Sequence, residues 1–258
     1  MSVATKLRTA FGLARSGVTL RSFFQLALRR KVGRIDLRNG LTIEGPSEEP
    51  LFIIFKEVWI NHCYVDKGFD VSRAKVVVDI GAHVGMFALW VAANNPNARV
   101  ICLEPTQQTC EFLQSNIVAN RFSNIVFLQA ACGGKHGEAI LYSREAEKWG
   151  NSLLSNDNRG NQFRPIGAVP VLTLADVFEQ FNVTTCNLLK LDCEGSEYQI
   201  LLNAPAETLA AIERIALEYH LEMGGSTITE LEDLLREVGF NVRRIPHAPL
   251  RGYLHAHR

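Results

Sequence analysis

The sequence holds 258 residues, 47% apolar and 21% charged, the composition of a soluble globular domain that can bury one sizeable core. Six cysteines, at 63, 102, 110, 132, 186 and 193, form neither C-x-x-C pairs nor a regular framework, which argues against disulfides or zinc and for reduced core thiols in a reducing compartment. The formal net charge is zero, yet residues 1–34 carry eight Lys or Arg and no acid; of 27 basic residues 19 remain downstream against 27 acidic ones, a net −8.

That basic segment (Lys6, Arg8, Arg15, Arg21, Arg29, Arg30, Lys31 and Arg34) interleaves its charges with apolar residues such as Leu7, Phe11, Leu20, Phe23 and Phe24, but has no apolar run long enough to span a bilayer. Three readings stay open for it: a peripheral basic amphipathic anchor on a membrane, a cleaved organelle presequence, or a helical lid packed on the core. Gly33 to Glu44 reads as a small polar hairpin turning at Arg38-Asn39-Gly40. Phe52 to Tyr64 follows as a helical segment containing Glu57, Trp59 and Tyr64.

A doubly wound α/β pattern begins at Val76 and organises residues 35–258 as one domain. Strands are expected at 76–80, 99–103, 124–130, 186–192 and 213–219, with helices at 85–94, 107–120, 195–203 and 228–238. Asn241 to Ile245 and Gly252 to His257 close the chain as an antiparallel pair, making a seven-stranded sheet. The spacing between Ala131 and Asn187 is too long for one crossover. It reads as an inserted strand pair (138–142 and 168–172, within about 137–172) around a polar loop that contains Trp149, Asn151, Ser152 and Asn158 and has the character of a substrate lid.

The first strand, Val76-Val-Val-Asp79-Ile, runs into Gly81-Ala-His-Val-Gly85 and then a helix. A glycine-hinged strand-to-helix turn brings backbone close to a nucleotide-like ligand at the carboxyl edge of a parallel sheet. The spacing is not G-x-G-x-x-G, since position 83 is His and no third glycine follows in the turn. An acid followed by G-x-x-x-G suits a ligand without a pyrophosphate, such as S-adenosylmethionine; the bland alternative is a glycine turn with no ligand. Glu104 ends the next strand 25 residues after Asp79, where a carboxylate can accept from both hydroxyls of a ribose. It can equally cap the helix that starts at Gln107. Further on, Lys190, Asp192, Glu194 and Glu197 cluster at the end of the fourth strand around Gly195. Carboxylates so grouped are costly unless paired, protonated or bound to a cation, though capping of the next helix and pairing with Lys190 is the structural alternative.

Together these stretches resemble the FkbM family of S-adenosylmethionine-dependent methyltransferases. The resemblance rests on Val-Asp79-Ile-Gly81-Ala82-His83-Val-Gly85-Met-Phe87, on Glu104-Pro105, on the Val-Leu-Thr173-Leu lead-in and on Leu-Lys190-Leu-Asp192-Cys-Glu194-Gly195-Ser-Glu197, and covers about residues 50–220. It implies a Rossmann-like sheet of the class I methyltransferase type. It also implies that Asp79, Gly81, Ala82 and Gly85 line the methionine end of the cofactor and that Glu104 holds its ribose. Gln129, Ala130 and Ala131 would border the adenine, and the Asp192 tip would face the transferred methyl group. No acid stands at 129–131, where many methyltransferases of this fold have Asp, so Gln129 or a backbone carbonyl takes that contact.

Methyl transfer to a hydroxyl needs alignment and removal of a proton. Asp192 is the first candidate base, with Glu194 and Glu197 orienting the acceptor or an adjacent cation. Glu218 and His220, in Ala-Leu-Glu-Tyr-His, reach the same edge and can serve instead, although His220 reads equally well as a plain polar residue at a strand end. A divalent metal on Asp192, Glu194 and Glu218 is allowed by charge but not assigned. The implied acceptor is a small molecule or glycan: a sugar, glycolipid or other secondary metabolite. A non-catalytic scaffold and a nicotinamide-dependent oxidoreductase are the competing readings. Nucleic acid is disfavoured because the body of the chain is acidic. The expected location is cytoplasmic, with peripheral membrane contact through residues 1–34, and the oligomeric state is not specified.

Overall fold

The computed structural model describes residues 12–13, 15–27, 32–47, 51–66, 68–143, 150–157, 160–221, 223 and 227–258. Of the residues singled out above, Lys6, Leu7, Arg8, Phe11, Arg29, Arg30, Lys31, Trp149 and Asn158 lie outside these. A short helix α1 (Leu20–Ala27) precedes the expected hairpin, β1 (Arg34–Asp36) and β2 (Thr42–Glu44). Helix and hairpin are tied where the backbone N–H of Asp36 donates to Ser22 Oγ at 2.9 Å, and Leu13, Val18 and Leu26 are buried with Ile35 and Ile43 in one core. Among the described residues no helix is long and apolar enough to cross a membrane.

The expected helix over 52–64 is shorter and changes pitch. Helix α2 (Leu51–Phe55) continues as a π-helical turn over Lys56–Ile60, where the Asn61 N–H reaches back to Lys56 O at 2.9 Å, and the helix ends before His62 turns left-handed at φ 51°. Such wide turns re-aim side chains near functional sites. Here the exit turn delivers Tyr64 to the sheet.

The central sheet contains β3 (Val76–Ile80), β4 (Arg99–Leu103), β5 (Ile125–Leu128), β10 (Leu188–Leu191), β11 (Arg214–His220), β12 (Asn241–Pro246) and β13 (Arg251–His257), in the spatial order β12-β13-β11-β10-β3-β4-β5. Its five core strands are parallel and β13 is antiparallel to both neighbours. Alternate side chains feed two layers. Val77, Val100, Leu188 and Ala216 face α3 (Met86–Asn94) and the N-terminal elements. Val78, Ile101, Leu189 and Ile215 face the opposite core, with α5 (Leu174–Gln180), α6 (Glu197–Leu202) and α8 (Ile228–Glu237). Burial on both faces explains the continuous apolar runs of these strands. Met86 to Ala92 of α3 are all buried, so that helix is apolar all round. Asn116 of α4 (Gln107–Ala119) pins β2 to the glycine turn: its side chain accepts from Glu44 N–H and donates to Glu44 O and Val84 O, all within 2.9 Å.

Three expectations are corrected. The strand expected over 124–130 stops at Leu128, because Ala130 N–H bonds back to Leu128 O in a tight turn that moves the chain into a second sheet. The inserted strand pair is half of that sheet. Strands β6 (Ala131–Cys132), β7 (Gly137–Ser143), β8 (Asn151–Ser152) and β9 (Arg164–Leu172) pair in the order β6-β9-β7-β8. Two helices not anticipated, α5 and α7 (Ala206–Ala210), lie after it, and α5 is fixed by a capping box between Thr173 and Asp176.

Candidate active site

Parallel strands end on one edge, and the edge formed by β3, β4, β10 and β11 borders a cavity of about 320 Å³. The β3 turn makes one wall. The N–H groups of Gly81 and Ala82 both donate to Leu103 O at 2.9 Å, and Gly81 takes φ 75°. A methyl group added there would run into the carbonyl oxygen of Asp192, so only glycine lets β3 and β10 leave the sheet side by side. Gly81 and Ala82 line the cavity; Gly85 does not. It is the left-handed cap of α3, packed against Leu113.

Asp79, expected against the ligand, does not line the cavity either. It is fully buried, in register with Lys190 across β3 and β10, and forms an ion pair with its Nζ at 2.9 Å. Burial raises the Asp79 carboxyl, and the Lys190 charge opposes that rise; on Lys190, burial is outweighed by Asp79 and Asp192, and its pKa goes up. Lys190 also donates to Gly81 O at 2.6 Å. The pair is thus an internal post beneath the glycine turn.

Glu104, 7% exposed, lines the cavity from the end of β4. Its Oε2 accepts the His83 N–H and its Oε1 the Thr106 N–H, both at 2.9 Å. Each oxygen keeps a lone pair for a ligand, so helix capping and ligand binding coexist. On the far side of this wall Ala130, Ala131 and Cys132 border the cavity, whereas Gln129 is exposed outside it. The tight turn after Leu128 puts Gln129 on the outer surface.

The opposite wall carries the acids. Asp192, at the tip of β10, accepts a hydrogen bond from the Tyr64 hydroxyl at 2.7 Å. Glu194 (φ 51°) and Gly195 (φ 105°) make a left-handed pair that starts α6 late, and Glu194 lines the cavity. Glu197 does not. It is fully buried, and its two carboxylate oxygens accept the N–H groups of Cys193 at 2.6 Å and Gly195 at 2.8 Å, so it holds the turn. His220 is also fully buried behind this wall, 3.5 Å from Glu194 and 3.6 Å from Glu197. Burial works against its charge, but Glu194, Glu197 and Glu218 outweigh it and push the imidazole up to about 10. An imidazolium held by acids is poorly suited to accept a substrate proton near neutrality.

Several lining residues carried no role in the sequence reading. Tyr64 and Glu57 come from the segment before the sheet, and His247, from the β12–β13 turn, lies 3.2 Å from Glu218. Burial, with Glu218 and Asp192 nearby, raises the Glu57 carboxyl to about 7. The inserted sheet reaches the site as well: Asn151 Nδ2 donates to Thr106 Oγ1 at 3.0 Å and Ser152 Oγ to Glu194 O at 2.7 Å.

The sheet is doubly wound with an antiparallel β13, and its cleft lies outside the ends of β3, β4 and β10, the crevice in which open α/β sheets hold their ligands. Residues 79–242 match the Methyltransferase FkbM domain, and the chain belongs to that family. It is 26% identical over 252 residues to the AMB antimetabolite synthetase AmbE of Pseudomonas aeruginosa, covering 84% of this chain but only 12% of the synthetase. It is 23% identical over 235 residues to the 31-O-demethyl-FK506 methyltransferase FkbM of Streptomyces tacrolimicus, covering 82% of this chain and 90% of that one. The solved structure of methyltransferase FkbM from Methylobacillus flagellatus KT shares the fold with a TM-score of 0.52 at 15% identity, over 99% of this chain and 60% of that one. The nicotinamide and scaffold readings gain no support from these relatives.

Proposed function

We propose that this chain transfers a methyl group from S-adenosylmethionine to a hydroxyl of a small-molecule acceptor of the sugar, glycolipid or secondary-metabolite class. The observation that carries the reading is that one cavity joins the Gly81 turn and Glu104 to the acid wall of Asp192. Its size is at the lower end of the ~300–1,000 Å³ typical of small-molecule sites. The residues present fit the cofactor. The lone pairs left on Glu104 suit ribose hydroxyls, the backbone at Gly81 and Ala82 suits the amino acid end, and Ala130 to Cys132 offer an apolar border for a base. The 31-O-demethyl-FK506 methyltransferase, by its name, methylates an oxygen, which favours a hydroxyl acceptor here.

When bound, the cofactor supplies an electrophilic methyl group. Asp192 takes the proton of the acceptor hydroxyl, and Tyr64 orients that carboxylate through one oxygen while leaving the other free. Glu194 borders the acceptor from the same wall, while Glu197, through Cys193 and Gly195, is a positioning residue. Met86 and Phe87 help exclude water from the reacting centre.

Calorimetric titration with S-adenosylhomocysteine tests the reading, with NADH as control. Saturable one-to-one binding, weakened by Glu104→Ala, supports it; no binding by the folded protein, or binding of NADH instead, overturns it. Membrane contact through residues 1–34 is a separate proposal. Leu20 (71% exposed) and Phe24 (60%) lie beside exposed Arg21 on α1, so Leu20→Ser with Phe24→Ser should reduce binding to anionic vesicles. Unchanged binding would remove the idea.

A further inference from the structure

At the acceptor end of the cavity, Asp192 closes β10 while Glu218 and His220 stand two residues apart on β11, on the same face of that strand. One carboxylate oxygen from each acid and one imidazole nitrogen lie within 4.8 Å of one another. Two ligands of one small divalent cation are at most ~4.2 Å apart, so shifts of a few tenths of an ångström would close the set. Among the described residues the Tyr64 hydroxyl bonds Oδ2 of Asp192 and His247 bonds Oε1 of Glu218, with the other oxygen of each unengaged.

His220 is the independent observation. It is fully buried, and neither ring nitrogen makes a hydrogen bond among the described residues. Glu194 and Glu197 approach it only at ion-pair distance, 3.5 and 3.6 Å. A buried imidazole without a hydrogen bond is costly, and a divalent cation is a partner that can displace the proton it holds between Glu194 and Glu197. Around it, Glu194 adds a carboxylate along the cavity, whereas the Lys190 ammonium is paired with Asp79.

We propose that Asp192, Glu218 and His220 bind one divalent cation of the Mn²⁺ type, open to the cavity and beside the acceptor subsite. One imidazole with two carboxylates suits a first-row divalent ion better than Ca²⁺, and three protein ligands leave positions for water or acceptor oxygens. The ion orients the acceptor hydroxyl and offsets the acids around it, and a lone pair of the Asp192 carboxylate spent on neither Tyr64 nor the ion takes the proton. Its role toward an acceptor rests on the methyltransferase reading; the site itself does not.

The test is Mn²⁺ titration of chelator-treated full-length protein, followed by the spin-resonance signal of the free aquo ion, with S-adenosylhomocysteine affinity measured on the same samples. One equivalent should bind. Glu218→Gln and His220→Asn should each weaken Mn²⁺ by about tenfold or more while S-adenosylhomocysteine still binds, which shows that the variants are folded. If either variant fails to fold, Asp192→Asn supplies the second readout. No Mn²⁺ binding by a wild-type protein that binds S-adenosylhomocysteine overturns the site and leaves the methyltransferase reading intact. Mn²⁺ binding unaffected by all three substitutions overturns it too. Mn²⁺ binding without S-adenosylhomocysteine binding supports the site and contradicts the methyltransferase reading.

Discussion

The Tyr64 hydroxyl donates to Asp192 Oδ2 at 2.7 Å, joining the turn before the sheet to the tip of its central strand across 128 positions of sequence. The Tyr64 ring is held edge-on by Phe87 and Tyr253, at centroid distances of 5.7 and 5.5 Å, and the Lys190 ammonium lies 5.3 Å from its centre. The candidate base therefore has a fixed rotamer before any acceptor arrives. Tyr64→Phe should keep the packing, lower stability by about 1–2 kcal/mol in urea denaturation and slow methyl transfer with little effect on cofactor affinity. A loss of cofactor affinity as large as the loss of turnover would mean that Tyr64 serves the other side of the cavity.

Glu104 separates binding from scaffolding. Glu104→Ala removes an acceptor from both the His83 and Thr106 N–H groups along with the ligand contact. Two charge-assisted hydrogen bonds to a ribose are worth about 3 kcal/mol together, so S-adenosylhomocysteine affinity should fall by about 100-fold. Glu104→Gln retains one acceptor and should be the more stable of the two by thermal melting. Equal melting temperatures would remove the bracing role.

The parallel sheet was legible because its strands are buried on both faces. Val76 to Ile80 and Arg99 to Leu103 fall where the apolar runs put them, and the acids Glu104 and Asp192 reach the cavity from strand ends. The inserted sheet was only half legible, since β6 and β8 are two residues long, too short for any alternation to register. Helix α5 had a readable signal in Thr173-Leu-Ala-Asp176, a capping box with Asp in place of Glu. Asp79 and Glu197 lie behind the cavity wall for a reason the sequence does not show: an acid near a glycine turn can face a ligand or brace the turn, and burial distinguishes them. Tyr64, Glu57 and His247 were out of reach because the contacts that bring them to the cavity are long-range.

Gly81 and Gly40 give a paired test of close approach against backbone strain. Both have positive φ, 75° and 88°. An added methyl at Gly81 meets Asp192 O, while at Gly40 nothing lies within 4 Å. Gly40→Ala should cost about 1 kcal/mol, the left-handed penalty alone, and Gly81→Ala more than about 3 kcal/mol or the fold itself. Similar costs in denaturant melts would show that β3 and β10 can separate without loss.

Glu57 sets a pH dependence. Burial, Glu218 and Asp192 raise its carboxyl from 4.5 to about 7, with His247 and Lys56 pulling the other way. Between those values the folded state binds the extra proton, so stability present below the unfolded pKa is lost as pH rises through the folded one. Glu57→Gln should match wild type near pH 5 and exceed it by about 2 kcal/mol near pH 8, in chelator-containing buffer. A difference that does not change with pH would show that Glu57 stays ionised throughout.

The structure of the S-adenosylhomocysteine complex tests the central claim most directly. The account predicts the ribose hydroxyls on Glu104, the amino acid end along Gly81 and Ala82, and the sulfur turned toward Asp192. A ligand seated elsewhere, or seated there with its sulfur turned away from Asp192, would contradict it.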